Sequence, residues 1–238
     1  MNGASETNSA FQLEPIVGFS NYTLAQSKLS LEQPMEALEC LFEVIRKHDQ
    51  LDVQMLLEKD VVTYIQMKIL EAKTRHQIAL VLLQYPQILL SKRSTPLLAL
   101  HRNNAGSCSE FFEMTSIHQA LAELEYCHAL QLNCKYLWQK NEAVLSLTCD
   151  KHPLVFDGLL QDYQATCEQL ASLQFKRQNY VEAVVKYNEA KDILVLRSER
   201  LPQGEVKEEL ALELARLCFH LGKYTVTLTW SNQLMRLT

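Results

Sequence analysis

Helix-breaking residues are scarce in this chain, which holds six Gly and six Pro among 238 residues. A β-sheet protein of this length would need many tight turns, and tight turns use Gly, Asn and Pro. Hydrophobic residues make up 47% of the chain, which is too apolar a composition for a disordered or collagenous protein. We therefore expect a folded chain of long helices joined by short connections.

Apolar residues recur at helical spacing along most of the sequence. Leu38 and Leu41 belong to one such stripe, and Pro34 stands where a helix can begin without losing a hydrogen bond. Residues 1–14 show no period and are predicted to be a disordered leader, while residues 92–112 are predicted to be an irregular loop or insertion. The predicted helices span 18–31, 34–47, 51–73 with a possible break near Asp60, 75–91 with an end or kink before Pro86, 116–134 with a continuation to about 147, 154–176, 179–198, 205–221 and 223–237.

Three segments of the chain share an internal pattern, a Leu-Ala pair followed twelve residues later by a small residue. Two antiparallel helices approach closely only where the side chains at their crossing are small. The pattern therefore predicts repeated helix pairs. The matching residues are Leu24-Ala25 with Ala37, Leu170-Ala171 with Ala183, and Leu214-Ala215 with Thr227, which follows the predicted turn Gly222-Lys223-Tyr224.

This pattern resembles the tetratricopeptide repeat, a helix-turn-helix unit of about 34 residues. The resemblance implies an all-α fold in which antiparallel helix pairs stack as an α-solenoid, within a single helical-repeat domain over residues 15–238. The central match departs from the family at Cys167, Gln174 and Val195, and the last two units are 44 residues apart. Another α-solenoid or an unrelated helical bundle would share parts of the pattern.

A tetratricopeptide array lines its concave groove mainly with side chains of the first helix of each pair. Glu168 and Ser172 stand where chaperone-binding members of the family carry Lys and Asn, so a chaperone C-terminus is a poor candidate ligand. A mixed apolar and polar groove suits a helix or an extended segment of another protein. The resemblance places the partner-binding residues at Tyr22, Gln26, Phe175, Lys176, Arg216 and Phe219.

The sequence stops at SNQLMRLT, within a predicted helix, where solenoids normally end in a polar capping helix. Two interpretations are open. A partner packs on this end, with Trp230 as a partner-binding anchor, or the chain is a fragment of a longer protein.

The net charge of −5 and the pI near 5.8 argue against a protein that binds a phosphate backbone, because such binding depends on clustered Lys and Arg. Basic residues cluster weakly at Lys92, Arg93 and Arg102 in the irregular segment. An alternative function is therefore a nucleic-acid-associated helical-repeat protein, for example a subunit of a chromatin or DNA-repair assembly. Salt-dependent oligonucleotide binding would favour it.

The seven Cys are scattered and odd in number, which is typical of reduced thiols in an intracellular compartment. The groupings Cys127-His128 with Cys134, and Cys149 with His152, lack the spacing of a zinc site, so we expect buried thiols and no metal or cofactor. The N-terminus has no secretory signal, no window is apolar enough to span a membrane, and no catalytic motif is present. The sequence thus favours a non-enzymatic protein-interaction adaptor or scaffold subunit of an intracellular complex, located in the cytoplasm or the nucleus.

Overall fold

A computed structural model describes residues 6–49, 60–90, 109–148, 152–200 and 206–237, with side chains over 18–49, 60–88, 115–147, 154–200 and 209–229. These residues are helical apart from short turns, and no strand occurs among them. The predicted all-α fold is therefore confirmed. The helices are α1 Glu6–Ser30, α2 Pro34–Asp49, α3 Val61–Gln84, α4 Ser109–Lys140, α5 Glu142–Thr148, α6 His152–Lys176, α7 Tyr180–Arg200 and α8 Val206–Leu237, with a short 3₁₀ helix at Pro86–Leu90.

Several predicted helix ends agree with the structure. Pro34 is the first residue of α2, and α3 ends at Gln84, just before Pro86. The carboxylate of Asp60 accepts hydrogen bonds from the backbone N–H groups of Val62 and Thr63, so Asp60 caps α3 at the predicted break.

Other predicted boundaries differ from the structure. Helix α1 begins at Glu6, within the predicted leader, and α4 begins at Ser109, within the predicted loop. The rest of that loop, including Lys92, Arg93 and Arg102, lies outside the described residues. The predicted separation near residue 74 is wrong, because α3 is continuous and the sequence there holds no Gly or Pro to interrupt it.

The predicted helix break at Gly222 is also wrong. Helix α8 runs without interruption from Val206 to Leu237, so the last predicted helix-turn-helix unit is one long helix. A single Gly inside a helix costs only about 1 kcal/mol relative to Ala, which the neighbouring helix formers can offset. Gly222 weakens α8 without ending it.

The chain divides into two compact units, residues 1–130 and 131–238, where the sequence predicts a single domain. In the first unit α1 and α2 form a helix pair and α3 packs on α2. The first part of α4 runs antiparallel to α3, because Ser116 donates to the carbonyl of Leu82 while the Cys127 thiol lies 3.1 Å from the carbonyl of Ala72.

In the second unit α6 and α7 form an antiparallel pair, and α8 packs on α7. Helix α8 also contacts α6, since the ring centroids of Phe175 and Tyr224 lie 4.1 Å apart. Trp138 is buried and stacks on Phe156 at 5.4 Å. The core of this unit therefore lies among α6, α7 and the last part of α4, with α8 added against one side of the pair.

The two helix pairs α1–α2 and α6–α7 close with the same turn. Glu32 and Gln178 each adopt a left-handed conformation, with φ values of 55° and 63°. Each turn contains the same backbone hydrogen bonds, displaced by 146 residues: the bond from Gln33 N to Lys28 O corresponds to the bond from Asn179 N to Gln174 O. This is the Schellman arrangement that satisfies the last carbonyls of a helix.

The small residues predicted at the helix crossings are fully buried in both pairs, at Ala25, Ala37, Ala171 and Ala183. The first two predicted repeats are thus helix pairs with a common turn and a common close contact. Their stacking into a solenoid stays a prediction.

Candidate functional site

An aromatic cluster occupies the contact between α8 and the α6–α7 pair. The ring of Tyr224 stacks on Phe175, and its edge faces Tyr187, with ring centroids 4.7 Å apart. His220 lies 5.9 Å from Tyr187. Burial raises the pKa of Tyr187, and its hydrogen bond with Tyr224 adds to the effect, so the phenol stays neutral. The cluster joins α8 to both helices of the pair.

Three of the predicted partner-binding residues lie beside this cluster. Phe175 is half-buried inside it, whereas Phe219 on α8 is exposed and meets His220 edge-on at 5.8 Å. Arg216 places its Nη2 2.8 Å from the Glu168 carboxylate and remains half-exposed. The structure therefore brings Phe175, Arg216 and Phe219 to one region of the second unit.

The other predicted partner-binding residues are placed separately. Tyr22 and Gln26 are neighbours on α1 in the first unit, where the Gln26 amide donates to the Tyr22 hydroxyl at 3.3 Å. Lys176 is exposed as the last residue of α6. Trp230 lies in α8, and its side chain is outside the described residues.

Helix α8 carries apolar side chains on two opposite faces. Leu210, Leu217 and Tyr224 are buried on the side that meets the α6–α7 pair. Residues two positions further along point the opposite way, because each residue advances the helix by about 100°. Leu212, Phe219 and Val226 occupy that second side and are 74%, 72% and 55% exposed. A helix that is apolar on opposite faces is typical of one that is covered on both.

The exposed side of α8 is a continuous surface that spans about 21 Å from Leu212 to Val226. A row of small, exposed residues runs along its centre beside the row of large ones. A Cβ added at Gly222 would meet no atom within 4 Å, so nothing in the described part of the chain uses the space that this glycine leaves. We call this surface the α8 outer face, defined by Ala211, Leu212, Ala215, Cys218, Phe219, Gly222 and Val226.

Charged residues line one edge of the α8 outer face. Arg216 and Lys223 are seven residues apart, two helical turns, and both are exposed. Lys223 makes no ion pair with the described part of the chain. Glu209 is exposed on the same edge, one heptad before Arg216. The edge is thus basic along its middle, next to Phe219.

Helix α8 differs from the two closed helix pairs in the burial of the alanine of its Leu-Ala pair. The Leu-Ala pair of α6 buries Ala171 against α7, but in α8 the matching Ala215 is exposed. Among the described helices no second helix returns to cover it, because α8 continues through Gly222. The α8 outer face is therefore the surface that the predicted second helix would have covered.

Each of the two units contains a buried ionic group. In the first unit Glu71 is 2% exposed and receives Lys68 at 2.7 Å and Arg75 at 3.3 Å, with His48 at 3.8 Å. Burial alone would raise the pKa of Glu71, but these cationic and hydrogen-bonding neighbours outweigh it and lower the pKa to about 2. The carboxylate is ionised at neutral pH and links α2 with α3.

In the second unit the buried Arg197 connects three helices. Its guanidinium donates to both carboxylate oxygens of Asp157, at 3.0 and 3.3 Å, and to the amide oxygen of Gln164 at 3.1 Å. The carboxylate of Glu213 on α8 lies 3.7 Å away. These contacts fix how α8 lies on the α6–α7 pair, so they determine which side of α8 faces outward.

The prediction of buried thiols is confirmed for Cys127, Cys134 and Cys167 but is wrong for the exposed Cys218. Cys127 and Cys134 are fully buried, whereas Cys218 is an exposed free thiol on the α8 outer face. Cys149 and the side chain of His152 lie outside the described residues. Among the helices that the structure describes, none combines the length and the apolar composition needed to cross a membrane.

No protein-family model, no curated protein and no solved structure matches the chain.

Sequence reasoning found Phe219 and Arg216 through the resemblance but missed the surface to which they belong. The predicted break at Gly222 divided α8 and separated Phe219 from Val226. The sequence signal that could have revealed the surface is the spacing of the apolar residues along α8. Leu210, Leu217 and Tyr224 repeat every seven residues, and Leu212, Phe219 and Val226 repeat with the same period on the opposite side.

Proposed function

We propose that this chain is a non-enzymatic protein-interaction subunit, an adaptor or scaffold that holds another protein on the α8 outer face within a larger complex. One observation carries the proposal: α8 is apolar on two opposite sides, and the described part of the chain covers one of them and leaves the other exposed. Single exposed apolar residues are ordinary on protein surfaces. A row of three at helical spacing, beside small residues that admit close approach, is typical of an interaction surface.

The apolar row is large enough to contribute usefully to binding. Covering a Leu, Val or Phe side chain is worth about 1.5–3 kcal/mol when burial is complete. Leu212, Phe219 and Val226 retain most of their accessible surface in the folded chain. Burying all three would contribute on the order of 4 kcal/mol, before the costs of association are subtracted.

The resemblance to the tetratricopeptide repeat supports the same proposal. Proteins built from stacked helix pairs leave one face of each pair to be covered by the next, and their extended surfaces bind other proteins. The common turn and the buried alanines of α1–α2 and α6–α7 are consistent with such an architecture. In this interpretation the partner takes the place of a neighbouring helix.

The proposal is tested by affinity purification of the tagged full-length chain from its native cells. We expect Phe219→Asp to lose the proteins that the wild-type chain retains, because the substitution removes the central apolar side chain of the α8 outer face and puts a charge where the partner would have to exclude water. Val181→Asp is the matched control, since Val181 is an exposed apolar residue on α7. Retention of the same proteins by Phe219→Asp, with folding unchanged, would contradict the proposal.

A further inference from the structure

The proposed function leaves open what kind of segment covers the α8 outer face. We infer that it is an amphipathic α-helix that lies along α8 and carries acidic side chains opposite Arg216 and Lys223. The inference rests on the proposed function, because it specifies the partner of the same surface. It follows from the shape of the face, from the two closed helix pairs, and from the charge along one edge.

The shape of the face suits a helix. The exposed small residues Ala211, Ala215 and Gly222 form a shallow channel along α8. Large apolar residues border it on both sides: Phe219 belongs to the exposed row on one side, and the half-buried Leu221 lies on the other side. Taken together, the exposed row of large residues and the small residues Ala215 and Gly222 recur on average about every 3.5 residues. This is the spacing of helices that pack at a small crossing angle, where side chains of one helix enter gaps in the surface of the other.

The closed pairs show how this chain covers the same local sequence. In the α6–α7 pair, Ala171 of one helix and Ala183 of the other are both fully buried at the crossing. Ala215 follows a leucine just as Ala171 does, but it is exposed. A helix with a small residue at the contact therefore fits α8 as α7 fits α6.

The basic edge of the α8 outer face indicates which charge the partner helix carries. Arg216 and Lys223 flank the exposed row, and a helix in the channel would place its own flanking residues beside them. Arg216 already contacts Glu168, while Lys223 has no ion-pair partner in the described part of the chain. Acidic residues on the incoming helix would pair with this edge, and basic residues would be repelled.

A second copy of the chain fits the edge less well. Two α8 helices packed antiparallel, with their rows Leu212 to Val226 in register, would place Arg216 of one copy opposite Lys223 of the other. A parallel arrangement would place the basic edge beside Ala211 and Cys218, which offer no carboxylate. Neither arrangement places Glu209, the acidic residue of the edge, opposite Arg216 or Lys223 of the other copy, so a helix with its own acidic residues at these positions is the better occupant.

The inference is tested with two synthetic peptides and the full-length chain. Each peptide is an amphipathic helix of about three heptads with Leu and Ala at the core positions, and the flanking positions are Glu in one and Lys in the other. Fluorescence anisotropy measures binding of each labelled peptide. We expect the Glu-flanked peptide to bind at least about tenfold more tightly, with the difference decreasing as salt is added.

Two variants of the chain sharpen the comparison. Lys223→Glu should reverse or abolish the preference for the Glu-flanked peptide. Gly222→Leu should weaken the binding of both peptides, because its side chain fills the channel, and a Cβ at this position meets no atom within 4 Å. Val181→Asp, on α7, should leave both affinities unchanged.

The possible failures are distinguishable. Equal binding of the two peptides, or tighter binding of the Lys-flanked one, would overturn the inference about charge. Failure of both peptides to bind, with Phe219-dependent capture of native proteins retained, would overturn the helical partner but not the proposed function. Loss of both peptide binding and Phe219-dependent capture would overturn both proposals. Phe219-dependent dimerisation of the chain in analytical ultracentrifugation would show that a second copy is the occupant.

Discussion

At the scale of single residues, the buried ionic networks around Glu71 and Arg197 have a different role from the α8 outer face. They fix which helix faces pack together, whereas the outer face holds side chains that the described part of the chain leaves exposed. The sequence indicated neither network, because each depends on at least one contact between residues far apart along the chain: Arg75 reaches Glu123, and Arg197 reaches Asp157. Such pairs become visible only when the helices that carry them are placed side by side.

The Glu71 network predicts a specific dependence of stability on pH. The pKa of Glu71 is about 2 in the folded chain, below the ordinary value of 4.5, so folding favours the ionised carboxylate. This stability is present above pH 4.5 and is lost as the pH falls towards 2, on the order of 3 kcal/mol in total. We expect Glu71→Gln to be less stable than the wild-type chain at pH 7. Its free energy of unfolding should also fall less than that of the wild type as the pH is lowered, as measured by urea denaturation at pH 7, 4 and 2.5.

The matched control for that prediction is Glu43→Gln. Glu43 pairs with Arg46 at an exposed site, and pairs of that kind contribute little to stability. A Glu71→Gln variant that behaved like Glu43→Gln across the pH range would contradict the role assigned to the buried carboxylate.

Removal of Arg197 should destabilise the second unit strongly. In Arg197→Met, the carboxylates of Asp157 and Glu213 would lose their common cation at a largely buried site, which costs about 3 kcal/mol. Urea denaturation followed by circular dichroism measures the loss. Lys191→Met is the control, since Lys191 makes a long ion pair of 3.9 Å with the adjacent, exposed Asp192. A change as small as the control's would show that Arg197 does not hold α8 in place.

At the scale of elements, the two repeated turns show both the reach and the limit of sequence reasoning. The Leu-Ala pattern predicted the α1–α2 and α6–α7 pairs, because small residues at a helix crossing follow a fixed spacing. The left-handed residues of the turns were not predicted, since Glu32 and Gln178 stand where Gly is usual. At the third match, Gly222 suggested a turn that the chain does not make, because one Gly is too weak a signal to end a helix.

The left-handed turn residues give a prediction of increased stability. Gln178→Gly should stabilise the chain by several tenths of a kcal/mol to about 1 kcal/mol, because Gly adopts a positive φ without the Cβ clash. Glu32→Gly should do the same in the matching turn. Thermal denaturation measures both, and Gln26→Gly, inside α1 before its last turn, is the control that should destabilise by up to about 1 kcal/mol. Destabilisation by both turn substitutions would contradict the shared turn.

Gly222→Ala separates the stability of α8 from its surface. Ala is favoured over Gly inside a helix by about 1 kcal/mol, and the added Cβ meets no atom within 4 Å. We therefore expect Gly222→Ala to raise the melting temperature of the free chain. A lower melting temperature would indicate that the described helix is not continuous at this position.

At the scale of the whole molecule, the sequence predicted the helical class and part of the candidate site. Composition sufficed for the class, because breakers are few across all described helices. The resemblance located Phe219 and Arg216 but not the outward face that joins Phe219 to Val226, which depends on how Arg197 and the aromatic cluster orient α8. The division into two compact units has no marker in composition, since its boundary falls within α4.

The most direct test of a covered α8 outer face uses the thiol of Cys218, which lies on that face. The measurement is the rate at which a maleimide modifies Cys218 in native cell extract, compared with the rate in the purified chain, with Val181→Cys on α7 as the reference site. If a partner covers the face, Cys218 reacts several-fold more slowly in the extract, while a thiol at position 181 reacts equally in both. Equal rates for Cys218 in extract and in the purified chain would contradict the proposal that another protein binds this surface.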